Sequence, residues 1–73
     1  MEQYGKFKER GYTIEAYIPT NDTEPNEFLL TIRKGKFKQE HRIPMLHRPT
    51  FGVDIDDKQT LEEKMEEILK TLP

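Results

Sequence analysis

Few side chains in this sequence can do chemistry. It has no cysteine and no serine, which removes the two commonest nucleophiles of acyl transfer. His41 and His47 are the only imidazoles. As a metal pair they lack an obvious third ligand, and no thiolate is present to complete a site. His41 falls on the apolar parity of a strand, so it reads as a half-buried histidine with a hydrogen-bonded partner. Asp54, Asp56 and Asp57 look at first like a cluster of oxygen ligands. A calcium loop starting at Asp54 needs glycine at its sixth place and glutamate at its twelfth, and those places hold Gln59 and Met65. Acidic residues feeding the positive end of a helix explain the three aspartates without a metal. The four glycines are isolated, so no glycine-rich phosphate loop exists. The expectation is a protein that is not an enzyme, with no metal and no cofactor.

What remains is surface, and its residues follow from the elements that carry them. Phe28 to Ile43 reads as two strands folded back near Gly35. Phe28, Leu30, Ile32, Phe37, Gln39, His41 and Ile43 share one face, and the intervening residues are largely polar, a side-chain period of two. Two registers are open. Lys34-Gly35 as the loop pairs Ile32 with Phe37 and asks Lys34 for a positive φ. Gly35-Lys36 puts glycine first, as a type II′ turn demands, and pairs Phe28 with Ile43. Both keep the same residues on the same face.

Earlier in the chain, Tyr12, Ile14, Ala16 and Ile18 alternate with polar neighbours, and Arg10-Gly11 marks a turn back to a short strand at Tyr4–Lys8. A two-residue loop there sets Phe7 opposite Ile14 and Tyr4 opposite Tyr17. Pro19 ends the second strand, and residues 19–26 form a surface loop expected to be mobile. Pro44 and Pro49 forbid a helix after Ile43. Met45, Leu46, Phe51, Val53 and Ile55 are nevertheless too apolar for a free linker. This stretch reads as a pinned crossover, with room for a short edge strand at Phe51–Ile55. Leu61, Met65, Ile68, Leu69 and Leu72 form one stripe at a period of 3.6, so Lys58–Leu72 is a helix. Two capping boxes compete for its start, Thr60 with Glu63 and Asp56 with Gln59. On its solvent side Glu62–Glu66 and Glu63–Glu67 are like-charge pairs, with Glu66–Lys70 the one favourable pair.

The spacing therefore predicts strands over residues 4–8, 11–18, 27–34 and 36–43 and a helix over 58–72, in one small domain spanning 1–73. The fold class is α+β: a three- or four-stranded antiparallel meander with one C-terminal helix packed on one face. The expected core is Phe7, Ile14, Ala16, Ile18, Phe28, Leu30, Ile32, Phe37, Ile43, Leu61, Met65, Ile68, Leu69 and Leu72. One helix covers only one side of such a sheet. The other side carries Tyr4, Lys6, Lys8, Thr13, Glu15, Tyr17, Leu29, Thr31, Arg33, Lys36, Lys38, Glu40 and Arg42. Tyr17, Arg33, Lys36, Lys38 and Arg42 are its candidate partner-binding residues.

The totals agree with a small binding module. The chain has 73 residues and a net charge of −2. Residues 1–50 carry nine basic and seven acidic residues, +2, while residues 51–73 carry three and seven, −4. With no cysteine, a cytoplasmic location is expected. No apolar run approaches the roughly 18 residues of a membrane span, and the N-terminus lacks the apolar core of a signal peptide. The expected function is non-catalytic binding of another protein. Open sheet edges also allow a homodimer. Nucleic-acid binding on the basic, tyrosine-bearing outer face is the alternative.

Overall fold

The structure is a computed structural model that describes all 73 residues. Four strands, β1 (Glu2–Glu9), β2 (Tyr12–Ile18), β3 (Glu27–Lys34) and β4 (Phe37–Pro44), precede one helix, α1 (Ile55–Thr71). The strands form one antiparallel sheet in the order β1-β2-β3-β4. The α+β meander expected from the spacing is thus the architecture, with four strands.

Two tight turns set the registers. Arg10 and Gly11 both have positive φ, 50° and 83°, as a type I′ turn requires. At the second turn the sheet takes the Gly35-Lys36 loop, with Phe28 opposite Ile43 and Lys34 opposite Phe37. Gly35 alone carries the positive φ there, 59°. Lys34 is thereby spared a left-handed backbone that costs a side-chain-bearing residue about 1 kcal/mol.

β1 departs from simple alternation. Phe7 lies opposite Ile14, but the register shifts between Gln3 and Gly5. Gln3, not Tyr4, opposes Tyr17. Tyr4 occupies the bulge and turns to the helix side, where its ring lies 5.9 Å from that of Phe28. This corrects its placement on the outer face: a bulge adds one residue to the count, so parity fails across it. Gly5 makes room for the Phe7 ring, since a Cβ at this position would stand 3.0 Å from Phe7 Cζ.

The core lies between the sheet and α1. Ile14, Ala16, Phe28, Leu30, Ile32, Ile43, Leu61 and Leu72 are buried there, as expected, and Ile18, Phe37, Met65, Ile68 and Leu69 pack partly buried around them. Phe7 is the exception, 41% exposed on the outermost strand beyond the reach of the helix. Tyr12 and Met45 join the core instead. Tyr12 is buried because its ring is satisfied on every side. Phe37 meets it edge-on at 5.7 Å, Lys34 Nζ lies 4.8 Å from its centre, and its hydroxyl donates to the Pro73 carbonyl at 2.6 Å.

The crossover is pinned, though mainly by a polar group. Asp57 is 1% exposed, and its two carboxylate oxygens accept the backbone N–H groups of Leu46 at 2.7 Å and His47 at 3.1 Å. Met45 and Val53 pack inward, while Leu46, Phe51 and Ile55 project into solvent. Phe51–Ile55 forms no strand. α1 begins at Ile55, three residues earlier than expected, with Asp54 as its cap and the Asp54 carboxylate accepting Asp56 N–H at 3.0 Å. Neither capping box operates. Asp57 has to sit in the first turn to reach the crossover, and that sets the helix start. The Thr60 hydroxyl donates to the Asp56 carbonyl at 3.0 Å. On the solvent side the ion pair is Lys64–Glu67 at 3.7 Å, not Glu66–Lys70.

The loop at residues 19–26 is hydrogen-bonded around Glu24. One Glu24 oxygen accepts Thr20 N–H at 3.2 Å, the Thr20 hydroxyl at 2.9 Å and Asn21 Nδ2 at 3.1 Å. The amino terminus lies 3.3 Å from its other oxygen, and Arg48 donates to the Glu24 carbonyl at 2.8 Å. No helix of the chain is long and apolar enough to cross a membrane.

Candidate functional site

The registers lay the outer face of the sheet out as three rows. At the turn end run Lys8, Thr13, Arg33 and Lys38; in the middle Lys6, Glu15, Thr31 and Glu40; at the far end Gln3, Tyr17, Leu29 and Arg42. Tyr17, Arg33, Lys38 and Arg42 thus share this face, and Lys36 sits in the turn at its basic end. The parity of the strands was enough to bring these five together. It was not enough to say what holds them.

Glu15 is the centre of the face. It is 9% exposed, although no element covers it. Its neighbours do: the Tyr17 hydroxyl donates to one carboxylate oxygen at 2.8 Å, and the Arg33 guanidinium donates to the other. The Tyr17 hydrogen bond, with help from Arg33 and from the charge of Lys6, holds the Glu15 carboxyl below the usual carboxylate range, although its desolvation pulls the other way. The same hydrogen bond, together with desolvation and the charge of Glu15, pushes the Tyr17 phenol above its usual value. A second carboxylate engages the far end of the face. Arg42 Nη1 donates to Glu27 at 2.8 Å. Two of the four candidate cations are therefore already paired within the chain. Lys36 and Lys38, with Lys6 and Lys8 on β1, make no ion pair.

The face is a patterned polar surface. It presents separated positive and negative groups, one hydroxyl-bearing ring, and the half-buried Leu29. The sequence signal for the central cluster was present, since Glu15 and Tyr17 are two apart on a strand and so share a face. The link to Arg33 needed the β2–β3 register, which is set across the loop at residues 19–26 and not by a tight turn.

Two other groups of residues bear on function. His47, Asp54 and Asp56 bring one donor atom each to within 4.8 Å of one another at the start of α1. All three are exposed, and Asp54 already caps the helix. The two aspartates are accounted for by the helix terminus. His41 stands on the helix side of β4, half-buried, with Nε2 2.8 Å from Gln39 Oε1. It is not among the three residues of that cluster.

The fold and the face together define a class: a four-stranded antiparallel meander, closed by one helix on one side and open on the other. No family model, curated protein or solved structure matches the chain.

Proposed function

We propose that this protein is a small, non-catalytic binding module that docks another protein on the open face of its sheet. The observation that carries this reading is the carboxylate Glu15, seated at the centre of that face and binding Arg33. A nucleic-acid groove needs cations free to meet successive phosphates. Here the middle row carries Glu15 and Glu40, and Arg33 and Arg42 each hold a carboxylate of their own chain. A face of alternating charge with Tyr17 and Leu29 half-buried among the charges suits a protein surface, where complementary patterns fix register and partner. A cytoplasmic setting belongs to this proposal and rests on the lack of cysteine.

The nucleic-acid reading retains one favourable observation, the row of Lys8, Arg33 and Lys38 beside Lys36 at the turn end. One experiment separates the two. The tagged chain is recovered from its native host with and without nuclease, beside a Tyr17→Ala, Lys38→Glu variant. A protein partner that survives nuclease and is lost in the variant is the expected result. Loss on nuclease treatment alone overturns it. In parallel, a labelled duplex and a single strand titrated at two salt concentrations should bind no tighter than about 10 μM at physiological salt, weaker than specific complexes.

A further inference from the structure

α1 does not cover the whole inner face of the sheet. An open groove runs between it and β1, floored by Phe7, Leu61, Met65 and Leu69. Phe7 is the exposed residue of this floor, at 41%. Glu62 and Glu66 stand on the helix wall, and Glu9 stands on the strand, while Lys58 is the cation that the helix contributes. β1 is also an outermost strand, paired with β2 alone.

The hairpin turn decides which backbone groups of β1 are unpaired. Across a two-residue loop the flanking residues, here Glu9 and Tyr12, exchange both of their hydrogen bonds. Pairing then alternates, so Phe7 bonds to β2 while Lys6 and Lys8 direct N–H and C=O outward. Their side chains lie on the outer face, the face of Glu15 and Thr13. From Gly5 to Glu9 the edge is regular, because the bulge at Tyr4 lies before it.

We infer that β1 and its groove receive an extended segment of a partner protein as a fifth strand, with the pattern basic–acidic–apolar–acidic–basic. The inference rests on the protein-docking reading above and enlarges the open face by one strand. Each position follows from what it would stand beside. The two acidic residues lie next to Lys6 and Lys8 on the outer face, where opposite charges on neighbouring strands attract. The apolar residue lies next to Phe7 over the groove. The two basic residues flank it on the helix side, one beside Glu9 and one beside Gly5, where the helix wall of the groove carries Glu62 and Glu66 against the single cation Lys58. The pattern reads the same in both directions, so it holds for parallel and antiparallel addition. Main-chain bonds to Lys6 and Lys8 supply affinity and the alternate side chains supply choice, the general logic of strand addition.

A second copy of this chain fits poorly. Pairing β1 with β1 of another molecule sets lysine beside lysine wherever both outward residues are used, and like charges directly opposite repel. The occupant is therefore a segment of another protein and not β1 of a second copy.

The test uses the full chain and two synthetic peptides of one composition. One is Thr-Lys-Glu-Ile-Glu-Lys-Thr; in the other, Thr-Glu-Lys-Ile-Lys-Glu-Thr, the charges have changed faces. Amide NMR during titration should show saturable shifts at Lys6–Glu9 and along the groove side of α1 with the first peptide. Saturation should slow exchange of the Lys6 and Lys8 amides by roughly tenfold or more, as those groups gain partners. The second peptide should bind at least about tenfold more weakly, and the Lys6→Glu, Lys8→Glu variant should reverse the preference. Both lysines are exposed, and because Lys6→Glu sets a second carboxylate opposite Glu15, the dispersion of the variant's amide spectrum serves as the check that it keeps its fold. No shift up to millimolar peptide, equal binding of the two peptides, or shifts centred away from β1 would each overturn the fifth strand. So would sedimentation that shows the chain pairing with itself through β1. A failed peptide alongside a nuclease-resistant protein partner removes this inference and leaves the docking reading standing; loss of both removes both.

Discussion

Glu15 shows how a single residue can order a face that no element covers. Its carboxyl is held below the usual range by the Tyr17 hydroxyl and by Arg33, so its contribution to stability is complete above the unfolded carboxyl value of about 4.3 and is lost as pH falls through the folded value. Glu24 acts in the same direction, through the Thr20 hydroxyl and N–H. Tyr17 works from the other side. Its phenol is raised, so its contribution is complete below about 10 and lost as pH rises through the folded value. The thermal midpoint plotted against pH should therefore fall at both ends. Glu15→Gln should flatten the alkaline limb, because the carboxylate that accepts the Tyr17 hydrogen bond, and with it the charge that helps raise the phenol, is gone, and weaken the acid limb, where Glu24 remains. An unchanged alkaline limb would mean that the Tyr17–Glu15 bond does not persist in solution. Asp57 is the other decisive residue. Asp57→Ala empties a buried position and leaves two N–H groups of the crossover without their partner, and should cost about 3 kcal/mol in urea unfolding, with Asp57→Asn between it and wild type.

The helix is held over the sheet by unequal contacts along its length. Leu61 is fully buried over the core, whereas Leu69 is half-buried beside the open groove. Leu61→Ala should lower stability by about 2–4 kcal/mol, and Leu69→Ala by roughly half as much. Equal losses at the two positions would place the groove in the core. The crossover shows the opposite economy. Phe51 is fully exposed, and Leu46 and Ile55 are 76% and 68% exposed. Phe51→Asp should leave the unfolding free energy within about 0.5 kcal/mol of wild type. Arg10, held at a left-handed φ by its turn, ties the two ends of the fold together by donating to the Leu69 carbonyl.

Seen whole, the molecule is a slab of 34 × 21 × 15 Å with its charges segregated. The helix and its approach carry −4, and the remainder +2. Such an arrangement steers a partner by face more than by affinity, and steering falls as salt rises. It also bears on self-association. The lysines that project beside the open edge of β1 resist pairing with an identical edge, and β4 ends in Pro44, which lacks a ladder donor. Light scattering should accordingly report a monomer up to millimolar concentration at physiological salt, in place of the homodimer that open edges alone would allow. A dimer at micromolar concentration would contradict the charge argument.

Alternation and turn chemistry in the sequence were sufficient for the meander. Period-two runs define faces, glycine after a basic residue defines turns, and the stripe from Leu61 to Leu72 defines the helix. These are local signals, since each depends on residues a few places apart. The same signals assembled Tyr17, Arg33, Lys36, Lys38 and Arg42 at one surface. What they could not supply is whatever depends on residues meeting across the fold. The bulge at Tyr4 answers to the Phe28 ring, on a strand that Tyr4 does not touch in sequence. The helix starts at Ile55 because Asp57 must reach the backbone of Leu46 and His47. Phe7 carries an apolar parity yet lies in the open, because one helix is too narrow to cover the outermost strand. The groove this leaves beside β1 is a property of width and packing, so only the tertiary structure could decide it.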